Sequence, residues 1–232
     1  MFKQTDAIRD YVFPIASIEK TNDGIAVKRV LGTAFLIGNR GFALTARHVL
    51  AGSETETLVA IFALQTGGWF GYELTAKEVH PTEDVALVKL DGGPWKSFLR
   101  LSNTVEHASC KYRLWGYPDD ATFELVADKQ VVVRPDLVFN EGYVRRCYTG
   151  ELPAVRGTSF FELSEVAGTG ASGAPVCKIT APAWDVIGIY VGEKINDRAT
   201  SVSYAVREES FRSWAPEILG KSVLEESKDV TV

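Results

Sequence analysis

GTGASGAP, residues 168–175, is the stretch that decides the interpretation of this 232-residue chain. Glycine adopts backbone conformations that strain other residues, so a serine among glycines can be presented on a tight turn. Such a turn exposes the hydroxyl of Ser172 and lets a carbonyl group approach the main chain. The N–H groups of Gly170 and Ser172 would then be two donors aimed at one point, as an oxyanion hole requires.

A serine nucleophile needs a base, usually a histidine that a carboxylate orients. The chain contains three histidines, all before Ser172 in sequence: His48, His80 and His107. The nucleophile elbow of α/β-hydrolases has its histidine after the serine, so that alternative fails. The subtilisin order needs an acid before the histidine, and the available acids lie in no distinctive setting: Asp6, Asp10 and Asp23. The order histidine, aspartate, serine remains.

HPTEDVALVKL, residues 80–90, supplies the acid. Asp84 lies where a turn leads into an apolar run that is typical of a buried strand. Its neighbour Glu83 faces the opposite way on an extended chain, so only one of the two carboxylates is expected to point inward. Asp84 is the better candidate because the apolar run begins directly after it. We expect His80, before a proline, and His107, in a polar linker, to be exposed.

Composition excludes several classes of function. The net charge of −5 and the lack of a basic stripe disfavour nucleic acid as a partner. Residues 1–10 lack the apolar core of a signal peptide and no long apolar run occurs, so we expect a cytoplasmic protein without membrane contact. The three cysteines fit reduced thiols and match no zinc signature, so no metal or other cofactor is expected: Cys110, Cys147 and Cys177.

Short apolar runs broken by polar turns predict an all-β chain. About a dozen strands in two similar batches fit two antiparallel barrels, over residues 12–100 and 101–206, better than a βαβ fold. Apolar residues at helical spacing predict a C-terminal α-helix over residues 207–219. The polar residues 225–232 are predicted to form a flexible tail.

Several motifs in this order resemble those of the trypsin-like, chymotrypsin-fold serine peptidases. They are GTAFLI (32–37), LTARHV (44–49), EDVALV (83–88), GASGAPV (170–176), VIGI (186–189) and SYAV (203–206). The resemblance covers residues 12–219 and is closer to bacterial HtrA-type protease domains than to digestive enzymes, with no PDZ domain expected to follow. It implies a single peptidase domain, 1–232, made of two perpendicular six-stranded barrels with the active site in the cleft between them.

The resemblance also implies a role for each candidate residue. His48 matches the general base and acid, Asp84 the carboxylate that fixes its tautomer, and Ser172 the nucleophile. Gly170 and Ser172 match the positions whose backbone N–H groups bind the oxyanion. The implied chemistry is acyl transfer from a protein substrate to Ser172 and then to water.

Two departures from the family pattern concern activation. Ala171 stands where many secreted members have an aspartate that receives the new N-terminus after zymogen cleavage, so that switch is missing here. The loop at residues 167–171 is small and glycine-rich. We therefore expect its order to depend on substrate or on an activating protein partner.

The substrate pocket is predicted from the same resemblance. Val166, six residues before Ser172, takes the position that sets primary specificity in much of the family, and its apolar side chain suggests an uncharged P1 residue. Glu193 follows the strand that borders the pocket and would favour a basic one, so the P1 preference stays open. The predicted pocket residues are Val166, Tyr190, Val191, Gly192 and Glu193.

The leading hypothesis is a serine endopeptidase. An esterase or a narrow processing enzyme would use the same triad. A pseudoprotease that only binds a peptide would be signalled by a lost triad member, and none is lost. A protease effector of a bacterial stress or defence system, activated by a partner, is a further alternative that the sequence leaves open.

Overall fold

The computed structural model of the chain describes residues 7–21, 24–64, 68–121, 123–127, 130–179, 184–195 and 201–229. Strands dominate these ranges, and they form two closed six-stranded antiparallel barrels. The fold class predicted from the sequence is therefore confirmed.

The first barrel contains the candidate histidine and aspartate. Its strands are β1 (Val12–Thr21), β2 (Gly24–Ile37), β3 (Phe42–Thr45), β4 (Thr57–Ala63), β5 (Trp69–Val79) and β6 (Ala86–Leu90). They pair in the order β1-β2-β3-β6-β5-β4, and β1 closes the barrel on β4. The tight turn between β2 and β3 places Gly41 at φ +78°, a conformation that favours glycine.

The second barrel contains the candidate serine. The strands of this half are β7 (Leu99–Leu101), β8 (Lys111–Gly116), β9 (Phe123–Ala127), β10 (Gln130–Arg134), β11 (Val138–Thr149), β12 (Ser159–Leu163), β13 (Pro175–Ile179), β14 (Trp184–Ile195) and β15 (Ser201–Arg207). Six of them form the ring β13-β8-β11-β12-β15-β14, closed by pairing of β13 with β14. Strands β9 and β10 form a separate hairpin.

Strand β7 lies at the predicted boundary between the two barrels. It pairs in parallel with β14, so Leu99 and Leu101 are buried against the second barrel. The predicted boundary between residues 100 and 101 therefore cuts through a strand. A three-residue strand is too short for periodicity to reveal it, because its identity depends on the partner strand.

One hydrophobic core continues from barrel to barrel. Phe13, Phe35 and Phe62 fill the first barrel, and they belong to the same cluster of contacts as Phe160 and Tyr204 of the second. The loops at the barrel interface thus lie on one continuous hydrophobic core. Close packing of this kind fixes the positions of side chains from both halves relative to each other.

The C-terminal helix is not where the sequence predicts it. Residues 207–219 form a 3-10 turn at Glu208–Ser210 and further turns, and the only α-helix among the described residues is α1 (Val223–Lys228). Pro216 explains the difference, because it lacks an N–H and disfavours helical conformation in the residue before it. No helix in the described ranges is long and apolar enough to cross a membrane.

Helix α1 also corrects the prediction of a flexible tail. Glu226 is fully buried and bonds to Arg40 at 2.6 Å and to Lys221 at 3.0 Å. Ser222 and Glu225 form a capping box at the helix start. The part of the predicted tail at residues 225–229 is therefore docked on Arg40 of the first barrel and on β7, whose Leu101 N–H donates to Ser227 at 3.0 Å, and residues 230–232 lie outside the described ranges.

Candidate active site

His48 is positioned by a short 3-10 helix that follows β3. Within this helix, Arg47–Leu50, the side chains of Val49 and Leu50 are buried and anchor the backbone. The imidazole of His48 is 46% exposed. The buried side chains of Val49 and Leu50 thus fix the backbone of His48, while its ring stays accessible.

Asp84 holds His48 at two points. Its Oδ2 lies 2.7 Å from Nδ1 of the ring, and its Oδ1 accepts the backbone N–H of His48 at 3.0 Å. The carboxylate is almost completely buried. Because both oxygens are engaged, the ring position and its Nδ1–H tautomer are fixed together.

The turn that carries Asp84 is clamped by the second barrel. We define the acid turn as residues 80–84, directly before β6. Arg156 donates to the main-chain carbonyls of Pro81 and of Thr82, the latter at 3.2 Å. Glu83 points the other way from Asp84, as predicted, and accepts the N–H of Thr158 at 3.3 Å.

Glu83 nevertheless differs from the expectation that only one of the two carboxylates would point inward. Both are buried, Glu83 against the loop at residues 156–159 and Asp84 against His48. Burial raises the pKa of Glu83 above its ordinary value, and hydrogen bonds from Thr158 and Thr82 oppose this shift. Alternation along a strand cannot predict this result, because the covering loop comes from residues more than seventy positions later.

Ser172 is brought to the first barrel by its own main chain. Its carbonyl accepts the N–H of Thr33 at 2.8 Å. A Cβ placed on Gly32 would lie 2.9 Å from that carbonyl and 2.6 Å from the side chain of Val49, the residue after His48. Ser172 and the His48 segment therefore meet over Gly32, where only glycine leaves enough space.

The reactive atoms of Ser172 and His48 carry no hydrogen bond in the part of the chain that the structure describes. Neither the hydroxyl of Ser172 nor Nε2 of His48 has a protein partner there. Hydrogen bonds between nucleophile and base are often long without substrate and shorten on binding. Both atoms are thus available for proton transfer.

Several backbone N–H groups of the serine loop, residues 167–174, have no acceptor among the described residues. The N–H groups of Ala171, Gly173 and Ala174 donate to main-chain carbonyls. The N–H groups of Thr169, Gly170 and Ser172 have no acceptor within the described ranges. Two of these three, Gly170 and Ser172, are the donors that the sequence predicts for an oxyanion, and that role stays a prediction.

Contacts from outside the loop fix its conformation. The N–H of Asp119 donates to the carbonyl of Thr169 at 2.7 Å, which directs the N–H of Gly170 to the opposite side of that peptide. The hydroxyl of Thr33 donates to the carbonyl of Gly170 at 3.0 Å and accepts the N–H of Tyr117 at 3.0 Å. The loop is therefore tied to both barrels.

The predicted pocket residues have different environments. Tyr190 is fully buried in the second barrel, and its hydroxyl accepts the N–H of Ala167 at 3.2 Å. Burial raises the pKa of Tyr190 to about 12. Val191 is also buried, Val166 is half-buried and Glu193 is exposed. Gly192, at φ +124°, has open space where a side chain would lie.

Sequence reasoning misassigned one histidine. His80 is buried, with 8% of its surface exposed, whereas His107 is exposed as expected. The ring of His80 packs edge-on against Trp214 at 5.1 Å. No local pattern could reveal this contact, because Trp214 lies in the C-terminal segment.

Two antiparallel six-stranded barrels with a histidine and an aspartate on one and a glycine-flanked serine on the other define the class of chymotrypsin-fold peptidases. The family model of the trypsin-like peptidase domain matches residues 32–189, more than half of the chain. The chain belongs to this family. Among curated proteins, none matches the sequence.

Solved structures with the same fold include the following three. The HtrA-type protease AlgW with decapeptide is 17% identical, with a TM-score of 0.58; the match covers 94% of this chain and 66% of that chain. The MamO protease domain from Magnetospirillum magneticum (apo form) is 15% identical over 88% of this chain and 96% of that chain, with a TM-score of 0.58. The active form of the Rv3671c protease from M. tuberculosis is 18% identical over 96% and 82% of the two chains, with a TM-score of 0.60. At these identities the similarity establishes the fold.

Proposed function

We propose that the chain is a serine endopeptidase that hydrolyses peptide bonds of a protein substrate through an acyl-enzyme on Ser172. The observation that carries this proposal is the double hydrogen bond by which Asp84 holds His48. A carboxylate bound to Nδ1–H leaves Nε2 as the proton acceptor. The half-exposed ring has no hydrogen-bond partner on Nε2 among the described residues, and the meeting of Val49 and the Ser172 carbonyl over Gly32 supports a ring that can reach Ser172.

In the proposed reaction, Nε2 of His48 takes the proton of the Ser172 hydroxyl as Oγ attacks the substrate carbonyl carbon. The carbonyl double bond opens and its electron pair moves to oxygen. His48 returns the proton to the departing amine as the C–N bond breaks, which leaves an ester on Ser172. Water then attacks that ester as His48 takes its proton; the C–Oγ bond breaks, His48 returns the proton to Oγ of Ser172, and the carboxylic acid product departs.

The tetrahedral oxyanion would accept hydrogen bonds from the N–H groups of Gly170 and Ser172. Donors that are already oriented cost no reorganisation during the reaction, and removal of one such donor typically slows an enzyme by about 10²–10³-fold. The contacts of Asp119 and Thr33 with the loop support donors that are oriented before substrate binds. We therefore propose that the chain needs no activating partner to assemble this loop.

The test is cleavage of a peptide library derived from a bacterial proteome, read by mass spectrometry of the new termini. The proposal predicts discrete cleavages by the wild type that disappear in Ser172→Ala and His48→Ala. Retention of uncleaved peptides by the wild-type chain, without any product, would instead support the peptide-binding pseudoprotease. Cleavage that persists in Ser172→Ala would assign the activity to a contaminant.

A further inference from the structure

His80 begins the acid turn and organises it from within. Its Nδ1 lies 3.0 Å from the backbone N of Glu83 and 3.3 Å from that of Thr82. Both N–H groups are donors, so Nδ1 must be an unprotonated acceptor. The ring is therefore a neutral imidazole with its proton on Nε2. The turn is closed by a further bond from the N–H of His80 to the carbonyl of Val85 at 2.9 Å.

Elements from three parts of the chain enclose this histidine. The ring of Trp214 covers it from the C-terminal segment. Arg47, next to His48, donates to the carbonyl of His80 at 3.2 Å. Arg156 of the second barrel binds the carbonyls of the acid turn. The charged side chains that contact the acid turn from other elements are thus Arg47 and Arg156, whereas the carboxylates of Glu83 and Asp84 in the turn itself bind Thr158 and His48.

We propose that His80 is a positioning residue, whose neutral ring holds the acid turn in the shape that presents Asp84 to His48. The proposal rests on the proposed function, because it concerns the geometry of that catalytic pair. An N–H at Nδ1 would face two other N–H groups, and the only acceptor beside it among the described residues is the hydroxyl of Thr82, in a long contact of 3.5 Å. Protonation therefore removes both hydrogen bonds and releases the backbone that leads directly into Asp84.

The pH dependence follows from the surroundings of the ring. Burial, and secondly the charge of Arg156, lower the pKa of His80 below its ordinary value of 6.5. A histidine with a lowered folded-state pKa stabilises the fold above its unfolded pKa and loses that contribution as pH falls through the folded value. The acid turn is accordingly held at neutral pH and loosens in acid, below pH 6.5.

Two variants separate positioning from general stability. In His80→Phe the ring can still pack on Trp214 but no acceptor remains. In His80→Asn the side-chain oxygen can accept N–H groups two or three residues ahead, as in an Asx-turn, and it does not titrate. The readout is the second-order rate at which a fluorophosphonate probe labels Ser172, with circular dichroism of each variant as the folding control.

We expect His80→Phe to react about tenfold or more slowly than wild type at neutral pH, because small displacements of a catalytic group have effects of this size. We expect His80→Asn to recover most of that rate and to lose one ionisation from the acid limb of the profile. If His80 only stabilises the fold, both variants should have a lower free energy of unfolding, and the pH dependence of Ser172 labelling should stay unchanged.

The outcomes distinguish the two proposals. A reactive wild type together with a His80→Phe variant of equal rate overturns the role of His80 and leaves the proposed function intact. If His80→Phe does not fold, the profile of His80→Asn decides, and an acid limb identical to that of wild type overturns the role. A folded wild-type chain that fails to react at any pH overturns the proposed function and this role with it.

Discussion

Asp84 binds His48 through both carboxylate oxygens. One oxygen lies 2.7 Å from Nδ1 of the ring, and the other accepts the backbone N–H at 3.0 Å. The second bond matters as much as the first, because it ties ring orientation to the position of the main chain. Orientation of the imidazole in this fold therefore depends on a carboxylate that accepts at both oxygens.

Substitution of Asp84 by Asn should remove the acceptor that orients the His48 ring while the size and shape of the side chain are kept. An amide can donate to Nδ1, which selects the tautomer with a proton on Nε2 and blocks proton acceptance from Ser172. We expect the rate of Ser172 labelling to fall by about 10⁴-fold.

The neighbouring carboxylate offers a matched control. Glu83→Gln keeps an acceptor for the N–H of Thr158, and a group whose pKa is already raised loses little when its charge is removed. We expect this variant to label within about threefold of wild type. Equal losses in the two variants would contradict the assignment of Asp84 as the acid.

Thr33 joins the barrels at the serine loop. Thr33→Val would leave the carbonyl of Gly170 and the N–H of Tyr117 without their hydroxyl partner in a buried site. We expect the free energy of unfolding to fall by about 1–3 kcal/mol and Ser172 labelling to slow. Thr33→Ser, which retains the hydroxyl, should behave like wild type in chemical denaturation and in labelling. A Thr33→Val variant with undiminished labelling would show that the loop holds its shape without this contact.

Gly170 allows a test of the oxyanion loop by backbone conformation. It has φ +90°, and an added Cβ would lie 2.6 Å from the carboxylate of Asp119 and 2.7 Å from the carbonyl of Tyr117. Gly170→Ala must therefore shift the peptide whose N–H is a proposed oxyanion donor, and we expect labelling to fall by about 10²-fold or more.

Gly220→Ala is the control for the strain of a positive φ. Gly220 has φ +76° but open space at the Cβ position, and it lies outside the predicted pocket, so it shares the backbone penalty without the collision. Labelling of this variant should exceed that of Gly170→Ala by at least about tenfold. Similar losses in both would mean that general strain explains the effect.

Glu208 gives the fold a pH dependence of its own. Burial raises the pKa of this carboxyl from 4.5 to about 7, although Arg212 lies 3.1 Å away. The folded-state pKa of Glu208 exceeds its unfolded value, so the protonated carboxyl stabilises the fold. This contribution is complete below pH 4.5 and is lost as pH rises through about 7. Glu208→Gln cannot ionise.

The unfolding free energy of Glu208→Gln relative to wild type should therefore rise with pH across the window from 4.5 to about 7, by up to about 3 kcal/mol. Chemical denaturation at both ends of this window measures the difference. A constant difference would show that Arg212 keeps the carboxyl ionised throughout.

The barrels and the candidate triad could be predicted because their signals are local. Alternating apolar residues predict strands, and the glycines around Ser172 predict a turn. The contacts of His80 and Glu226 could not be predicted, because their partners lie far away in sequence. Trp214 buries His80, and Arg40 makes a buried Glu226 possible in a helix that looks polar by composition.

The prediction of a helix over residues 207–219 is wrong for a different reason. Phe211 and Leu219 are buried, as helical spacing implies, but separate turns on either side of Pro216 bury them. Periodicity records which residues face the core and does not specify a continuous helix. The proline is the feature that argues against one.

The most direct test of the central claim is the intact mass of the purified chain after reaction with a fluorophosphonate probe at neutral pH. We predict one adduct per chain, located at Ser172 by peptide mapping and missing in Ser172→Ala and His48→Ala. A folded wild-type chain that gains no adduct, or an adduct that persists in Ser172→Ala, would contradict the claim that Asp84 and His48 activate this serine.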